Sequence, residues 1–316
     1  MAKEKSIKEL EDLPGIGPTT AEKLRASGID NLDKVAVMTP NELNELTGVS
    51  VEAAKKAIQT AKESTTLNYE TGSTVYERRK EIGKISTGAE SLDELIGGGI
   101  EAGAITETYG RFASGKSQIG FQLCVNVQLP KEKGGMGGAA LFLDTEGTFR
   151  PERIESIAKA AGLDPEKALE NIMVVRALTT EQQVLTLDRA DKLITEKNIK
   201  LIVVDSLTAL FRSEFIGRGA LGERQQKLNQ HIHRLQTLAD KYGLAVYITN
   251  QVMDNPGILF GDPTTPIGGN ILAHAATTRL YLKKSKEEKR IARLVDSPNM
   301  PEGEAVIKIT PGGIKD

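Results

Sequence analysis

The run Gly110-Arg111-Phe112-Ala113-Ser114-Gly115-Lys116-Ser117 has the spacing G-x-x-x-x-G-K-[ST]. That spacing suits one task, holding a chain of phosphates. Glycines let backbone N–H groups close around the anion, and a helix that starts there adds the partial positive charge of its N-terminus. Lys116 can reach the β- and γ-phosphates, and the Ser117 hydroxyl can ligate Mg²⁺, with Gln118 next along the first turn. Partners for phosphoryl transfer to water lie further on. Asp205 follows the aliphatic run Leu201-Ile202-Val203-Val204, the pattern of a carboxylate that helps hold Mg²⁺. Glu146 can polarise an attacking water, and Gln251 can hydrogen-bond a γ-phosphate. Any one of these carboxylates alone could simply cap the next helix. Together with the phosphate loop they read as one ATP site.

Each of these residues follows a stretch that reads as a strand. Residues 104–109 are rich in Ile, Thr and Tyr, and 118–127 are apolar at helical intervals. Further strands are expected at 139–143, 173–175, 201–204 and 245–249, and a helix after Pro151. One long helix is expected over about 180–197 and another over 221–242. Alternating helices and near-continuous apolar strands predict an α/β fold with a mainly parallel sheet, and such sheets bind ligands at the carboxyl ends of their strands.

Residues 1–64 have a different texture. A short amphipathic helix is expected over 7–13, then the turn Leu13-Pro14-Gly15-Ile16-Gly17-Pro18, then a helix through Ser27. This reads as a helix-hairpin-helix, with a weaker echo at 41–62, in a small all-α domain. Gly15 and Gly17 could offer backbone N–H groups to a DNA phosphate, or could serve only to make the turn. Residues 65–82 read as a polar linker with a charged helix near 76–80. The domain expectation is therefore 1–64, linker 65–82, and a core of 83–316.

Composition excludes several classes. Hydrophobic residues are 39% and charged residues 27% of 316, which fits a folded globular chain. A net charge of −2 announces no polyanion partner, so any nucleic-acid surface must be local. The single cysteine, Cys124, cannot form an intramolecular disulfide and is expected as a buried thiol in the helix after the phosphate loop. No apolar run is long enough to span a bilayer, and the first residues lack a signal-peptide core, so the expected location is cytoplasmic.

At several longer stretches the chain resembles the archaeal RadA recombinases, in the RecA superfamily of strand-exchange ATPases. These are Asp144-Thr145-Glu146-Gly147-Thr148-Phe149-Arg150-Pro151-Glu152-Arg153-Ile154, residues 211–219, Glu223-Arg224-Gln225-Gln226-Lys227-Leu228 and Ile267-Gly268-Gly269. The resemblance covers nearly the whole chain and implies a RecA-like P-loop ATPase core. It assigns Lys116 and Ser117 to phosphate and Mg²⁺, Glu146 to catalysis, Asp205 to Mg²⁺ and Gln251 to sensing the γ-phosphate. It implies that Arg153 stacks on adenine. It places ATP between protomers of a helical filament or ring, with His274 sensing nucleotide across the interface. Asp296-Ser297-Pro298-Asn299-Met300-Pro301 would cap the neighbour's adenine, with potassium beside Asp296.

Two loops are implied to face DNA. The first spans about 212–224 and carries Arg212, Arg218 and Arg224; the second spans 252–270. The family's docking motif, Phe-x-x-Ala, aligns with Tyr69-Glu70-Thr71-Gly72. The implied activity is DNA-dependent ATP hydrolysis with filament formation on single strands and exchange with homologous duplex, and recombination mediators are further implied partners. Three rivals stay open: a paralogue or mediator that exchanges no strands, a helicase, and a plain nucleotide-binding module.

Overall fold

The computed structural model describes residues 7–27, 29–64, 70–254 and 264–316, in two compact units, Met1–Arg78 and Arg79–Asp316. In the first unit a 3-10 turn at Leu10–Asp12 precedes α1 (Pro18–Ala26), α2 (Leu32–Ala36), α3 (Pro40–Thr47) and α4 (Val51–Ser64). The helix expected over 7–13 is thus a single tight turn. The Asp12 carboxylate accepts the Lys8 and Glu9 N–H groups, each at 3.1 Å. Pro14 then disfavours helical geometry at Leu13. Prolines occupy the first turn of α1 and of α3, and Thr39 and Glu42 cap α3 reciprocally. Leu10, Leu24, Val35, Leu43 and Ile58 meet in a small core of their own. Helix α5 (Gly72–Lys80) follows and buries no residue, so the expected linker contains a helix that starts four residues before Tyr76.

The second unit opens with β1 (Lys84–Ile85), α6 (Glu90–Leu95) and β2 (Ile100–Glu101). Strand β3 (Ile105–Gly110) then feeds the phosphate loop and α7 (Lys116–Asn126). Next come β4 (Ala139–Asp144), α8 (Pro151–Ala160), α9 (Pro165–Glu170), β5 (Ile172–Arg176), α10 (Thr180–Asp188), α11 (Ala190–Lys197) and β6 (Ile199–Asp205). After these stand α12 (Ala209–Glu214), α13 (Leu221–Tyr242), β7 (Ala245–Asn250), β8 (Val252–Asp254), β9 (Thr264–Pro266) and α14 (Gly269–Ala275). Strands β10 (Thr278–Lys284), β11 (Lys289–Asp296), β12 (Gly303–Thr310) and β13 (Gly313–Lys315) end the chain.

Among the described residues one nine-stranded sheet runs β13-β12-β11-β10-β3-β7-β6-β4-β5. Its half from β10 to β5 is parallel and the remaining strands form an antiparallel meander. Burial on both faces explains the apolar strands. Phe142, Val203 and Tyr247 pack on one side with α7 and α8, while Leu141, Ile202 and Val246 pack on the other with α11 and α13. The helix expected over 180–197 is two helices that meet at Arg189.

Candidate functional site

The carboxyl ends of β3, β4, β6 and β7 lie side by side, because these strands are neighbours in one parallel sheet. Lys116, Glu146, Asp205 and Gln251 follow them, and all four line one cleft of about 1120 Å³ together with residues 110–118 and Arg153. The loop's path depends on two glycines. A Cβ at Gly110 would lie 2.2 Å from the Leu282 carbonyl oxygen, so the strand can pass only without a side chain there. Gly115 caps α7 with φ +106°, a left-handed geometry that glycine takes without steric cost. The result is a concave loop at a helix N-terminus, the geometry that receives phosphate.

The Lys116 ammonium lies inside this loop. It donates to the carbonyls of Gly110 at 3.0 Å and Arg111 at 3.1 Å. Burial lowers its pKa from the usual lysine value, and the charges of Asp205 and Glu146 pull it back up. A half-desolvated cation facing carbonyl groups is ready to exchange them for an anion. Tyr247 steadies the turn by donating its hydroxyl proton to the Lys116 carbonyl at 2.9 Å.

Across the cleft, the Asp205 carboxylate is buried and accepts the hydroxyls of Thr148, at 2.9 Å, and of Thr249. Each oxygen keeps a free lone pair. Ser117 hydroxyl and Asp205 carboxylate are hard oxygen donors on one cleft, a donor set that fits Mg²⁺, which binds through few protein ligands and keeps its waters. Gln251 donates its amide to Glu146 at 2.6 Å, so the two side chains that should meet a γ-phosphate and its attacking water touch each other. The buried Asp144 carboxylate holds the Glu146 turn by accepting N–H groups of Glu146, Gly147, Thr148 and Phe149 at 2.7–3.2 Å.

Arg153 on α8 is fixed in plane. Its guanidinium donates to Gln118 at 2.7 Å, to the Thr310 carbonyl at 2.7 Å and to the Pro311 carbonyl at 2.5 Å. Burial pushes its pKa down from the ordinary value, and no carboxylate compensates.

Other expected residues fall elsewhere. His274 on α14, Asp296 at the end of β11, and Pro298 and Pro301 after it are exposed and lie outside the cleft. The expected first loop is largely helical: Arg212 belongs to α12, Arg218 opens a 3-10 turn at Arg218–Ala220, and Arg224 belongs to α13. Only Phe215, Ile216 and Gly217 separate α12 from that turn. Gly15 turns the chain with φ +79° and Gly17 caps α1. Gly72 is the first residue of α5, and Tyr69 lies outside the described residues.

Sequence reasoning missed Thr148 and Thr249, which stand two residues from Glu146 and Gln251, and Thr310 and Pro311, which reach the cleft from the end of β12. It also missed Glu288 and Arg290, which approach from the β10–β11 hairpin. Alternation along β7 could have found Thr249, two residues before Gln251. Among the described residues no helix is long and apolar enough to cross a membrane.

Comparison with known proteins bears on both units. Residues 78–316 match the family model described as Rad51, and residues 7–63 match a SAM-like helix-hairpin-helix tandem. The chain is 49% identical, over 99% of its length and 98% of the relative's, to a protein of Aeropyrum pernix named DNA repair and recombination protein RadA.

Proposed function

The chain belongs to the Rad51 family, and on that premise we propose that it is a DNA-dependent ATPase that polymerises on single-stranded DNA and exchanges it with homologous duplex. The observation that carries this reading is the cleft: a phosphate cradle with Lys116 inside it, opposite Glu146 in contact with Gln251.

In this reading ATP lays its β- and γ-phosphates on the backbone N–H groups of the loop, and Lys116 leaves its carbonyl partners for them. Bound Mg²⁺, held through Ser117 and Asp205, would neutralise charge on the phosphate oxygens. Glu146 orients the attacking water and takes up its proton. Gln251 exchanges Glu146 for a γ-phosphate oxygen, which makes its position a report of nucleotide state. Arg153, fixed by three acceptors, offers the flat face of its guanidinium to the adenine.

His274, Asp296, Pro298 and Pro301 lie outside this cleft, and we assign them to the nucleotide of an adjacent copy, with potassium beside Asp296. Arg212, Arg218 and Arg224, from α12 to the start of α13, supply phosphate contacts that do not read bases. Gly15 and Gly17 supply a second, weaker DNA contact. Tyr69 and Gly72 serve assembly, mediators act on the assembled form, and the setting is the cytoplasm. ATP acts mainly as a conformational ligand, stabilising the assembled form until hydrolysis releases it.

Strand exchange between a labelled single strand and homologous duplex, with and without ATP, tests this. ATP-dependent transfer to homologous but not unrelated duplex is expected. DNA binding and hydrolysis with no transfer would favour the mediator reading.

A further inference from the structure

Side chains at the end of β7 alternate across the sheet. Thr249 and Gln251 reach the nucleotide cleft, whereas Asn250 is fully buried and outside its lining. The Asn250 amide uses all four of its hydrogen bonds. Nδ2 donates to Glu107 Oε1 at 2.8 Å and to the Ile267 carbonyl at 2.6 Å. Oδ1 accepts the Thr208 hydroxyl at 2.8 Å and the Gln251 N–H at 2.9 Å. A carboxylate and a carbonyl can only accept and a backbone N–H can only donate, so these partners allow a single orientation of the amide.

Two further facts give the arrangement meaning. Glu107 is fully buried and receives Arg279 Nε at 2.6 Å, so a charge pair inside the sheet anchors the amide. Ile267 is the far stem of the segment that leaves Gln251 through β8 and returns through β9. Its N–H donates to the Gln251 carbonyl at 3.0 Å. Asn250 therefore grips both stems of that segment, while the next side chain along, Gln251, touches Glu146 in the cleft.

We propose that Asn250, oriented by the Glu107–Arg279 pair, is a positioning residue that makes Gln251 and the base of the 252–266 segment move as one unit. It touches neither nucleotide nor DNA and acts through Gln251. The proposal rests on the DNA-dependent ATPase reading given above. In this proposal the shift of Gln251 from Glu146 to a phosphate oxygen carries its backbone with it. With Asn250 in place, the Gln251 N–H and the Ile267 carbonyl share one rigid amide, and the displacement passes to both stems. Without it both groups lose a partner, and the segment no longer follows the nucleotide. The phosphate loop itself is untouched, so ATP affinity stays.

The test is steady-state ATP hydrolysis against ATP concentration, with and without oligo-dT. The proteins are the wild type, Asn250→Asp, Glu107→Gln and the double variant. Asn250→Asp sets an acceptor against the Glu107 carboxylate and the Ile267 carbonyl. In the double variant the Gln introduced at 107 donates to the Asp introduced at 250 and still accepts Arg279, so that bond re-forms with reversed polarity, while the Ile267 carbonyl stays without its donor and recovery is only partial.

The expected result is a loss of about tenfold in DNA-stimulated kcat for Asn250→Asp, with KM for ATP within about twofold of wild type, and partial recovery in the double variant. Stimulation equal to wild type in Asn250→Asp, a loss confined to KM, or a double variant no better than the single one would overturn the proposal. Should Asn250→Asp not fold, as read by circular dichroism, Thr208→Val removes one bond to the same amide. Lowered stimulation there supports the proposal and unchanged stimulation overturns it. A wild type that shows no DNA stimulation removes the ATPase reading itself, which is a distinct result.

Discussion

Replacing Arg279 by Met should be among the most damaging single changes in the core. Arg279 on β10 and Glu107 on β3 are register partners on neighbouring parallel strands. Glu107 is fully buried, and Arg279 keeps only 8% of its surface exposed. The guanidinium donates to Glu107 and lies 5.3 Å from the centre of the Tyr109 ring. Met fills much of the volume of the Arg stem, so packing changes little. What remains is a carboxylate with the Asn250 amide as its partner and no counter-charge. Breaking one side of such a pair costs about 3–5 kcal/mol, out of a total stability of about 5–15 kcal/mol.

Urea unfolding followed by circular dichroism measures this. With a slope of about 3 kcal/mol per M, a loss of about 3 kcal/mol moves the midpoint of the core transition down by about 1 M. The double variant Glu107→Gln with Arg279→Met removes both charges and keeps an acceptor for Asn250. It should recover most of the loss and remain about 1–2 kcal/mol below wild type. A cost below about 1 kcal/mol for Arg279→Met, or a double variant as unstable as the single one, would refute this role for the pair.

Three other predictions concern separate parts of the chain. Lys116→Ala should abolish ATP turnover, and a fluorescent-nucleotide titration should show lost affinity; normal turnover would refute the phosphate-loop assignment. Arg218→Ala should weaken binding to single-stranded DNA and reduce the slope of log K against log salt by about 0.7. Unchanged affinity across salt concentrations would remove it from the DNA surface. His231, buried on α13, has its pKa pushed by burial from 6.5 to about 4. Unfolded imidazole takes up a proton below about 6.5 and the folded one only near 4, so acid favours unfolding. The associated stability of about 3 kcal/mol is complete above pH 6.5 and is lost as pH falls toward 4. In His231→Phe the stability should fall less steeply across that window, and an unchanged slope would refute the account.

The parallel half of the sheet was legible because its strands are buried on both faces. Val203 packs to one side and Ile202 to the other, so the whole run is apolar and ends at a polar residue of the site. The antiparallel meander was not read. Its strands alternate buried and exposed positions, as along Gly303–Thr310, so they lack the continuous apolar runs that mark the parallel strands. Arg189 parts two helices without a glycine or proline to show it. The stretch around Arg218 reads as a glycine-rich loop, yet its flanks Ala209–Glu214 and Leu221–Tyr242 propagate as helices nearly up to it. Spacing could place Lys116, Glu146, Asp205 and Gln251 on one sheet edge, since each follows its own strand. It could not place Asn250 with Glu107 and Arg279, because that contact depends on which strands are neighbours, and β3 lies between β7 and β10 only in the folded sheet.

The most direct test of the account is ATP hydrolysis by the wild type with and without single-stranded DNA, with electron microscopy of the same mixtures. The account predicts that DNA raises the hydrolysis rate and that regular filaments form when ATP and DNA are both present. Hydrolysis indifferent to DNA, with no filaments, would contradict it.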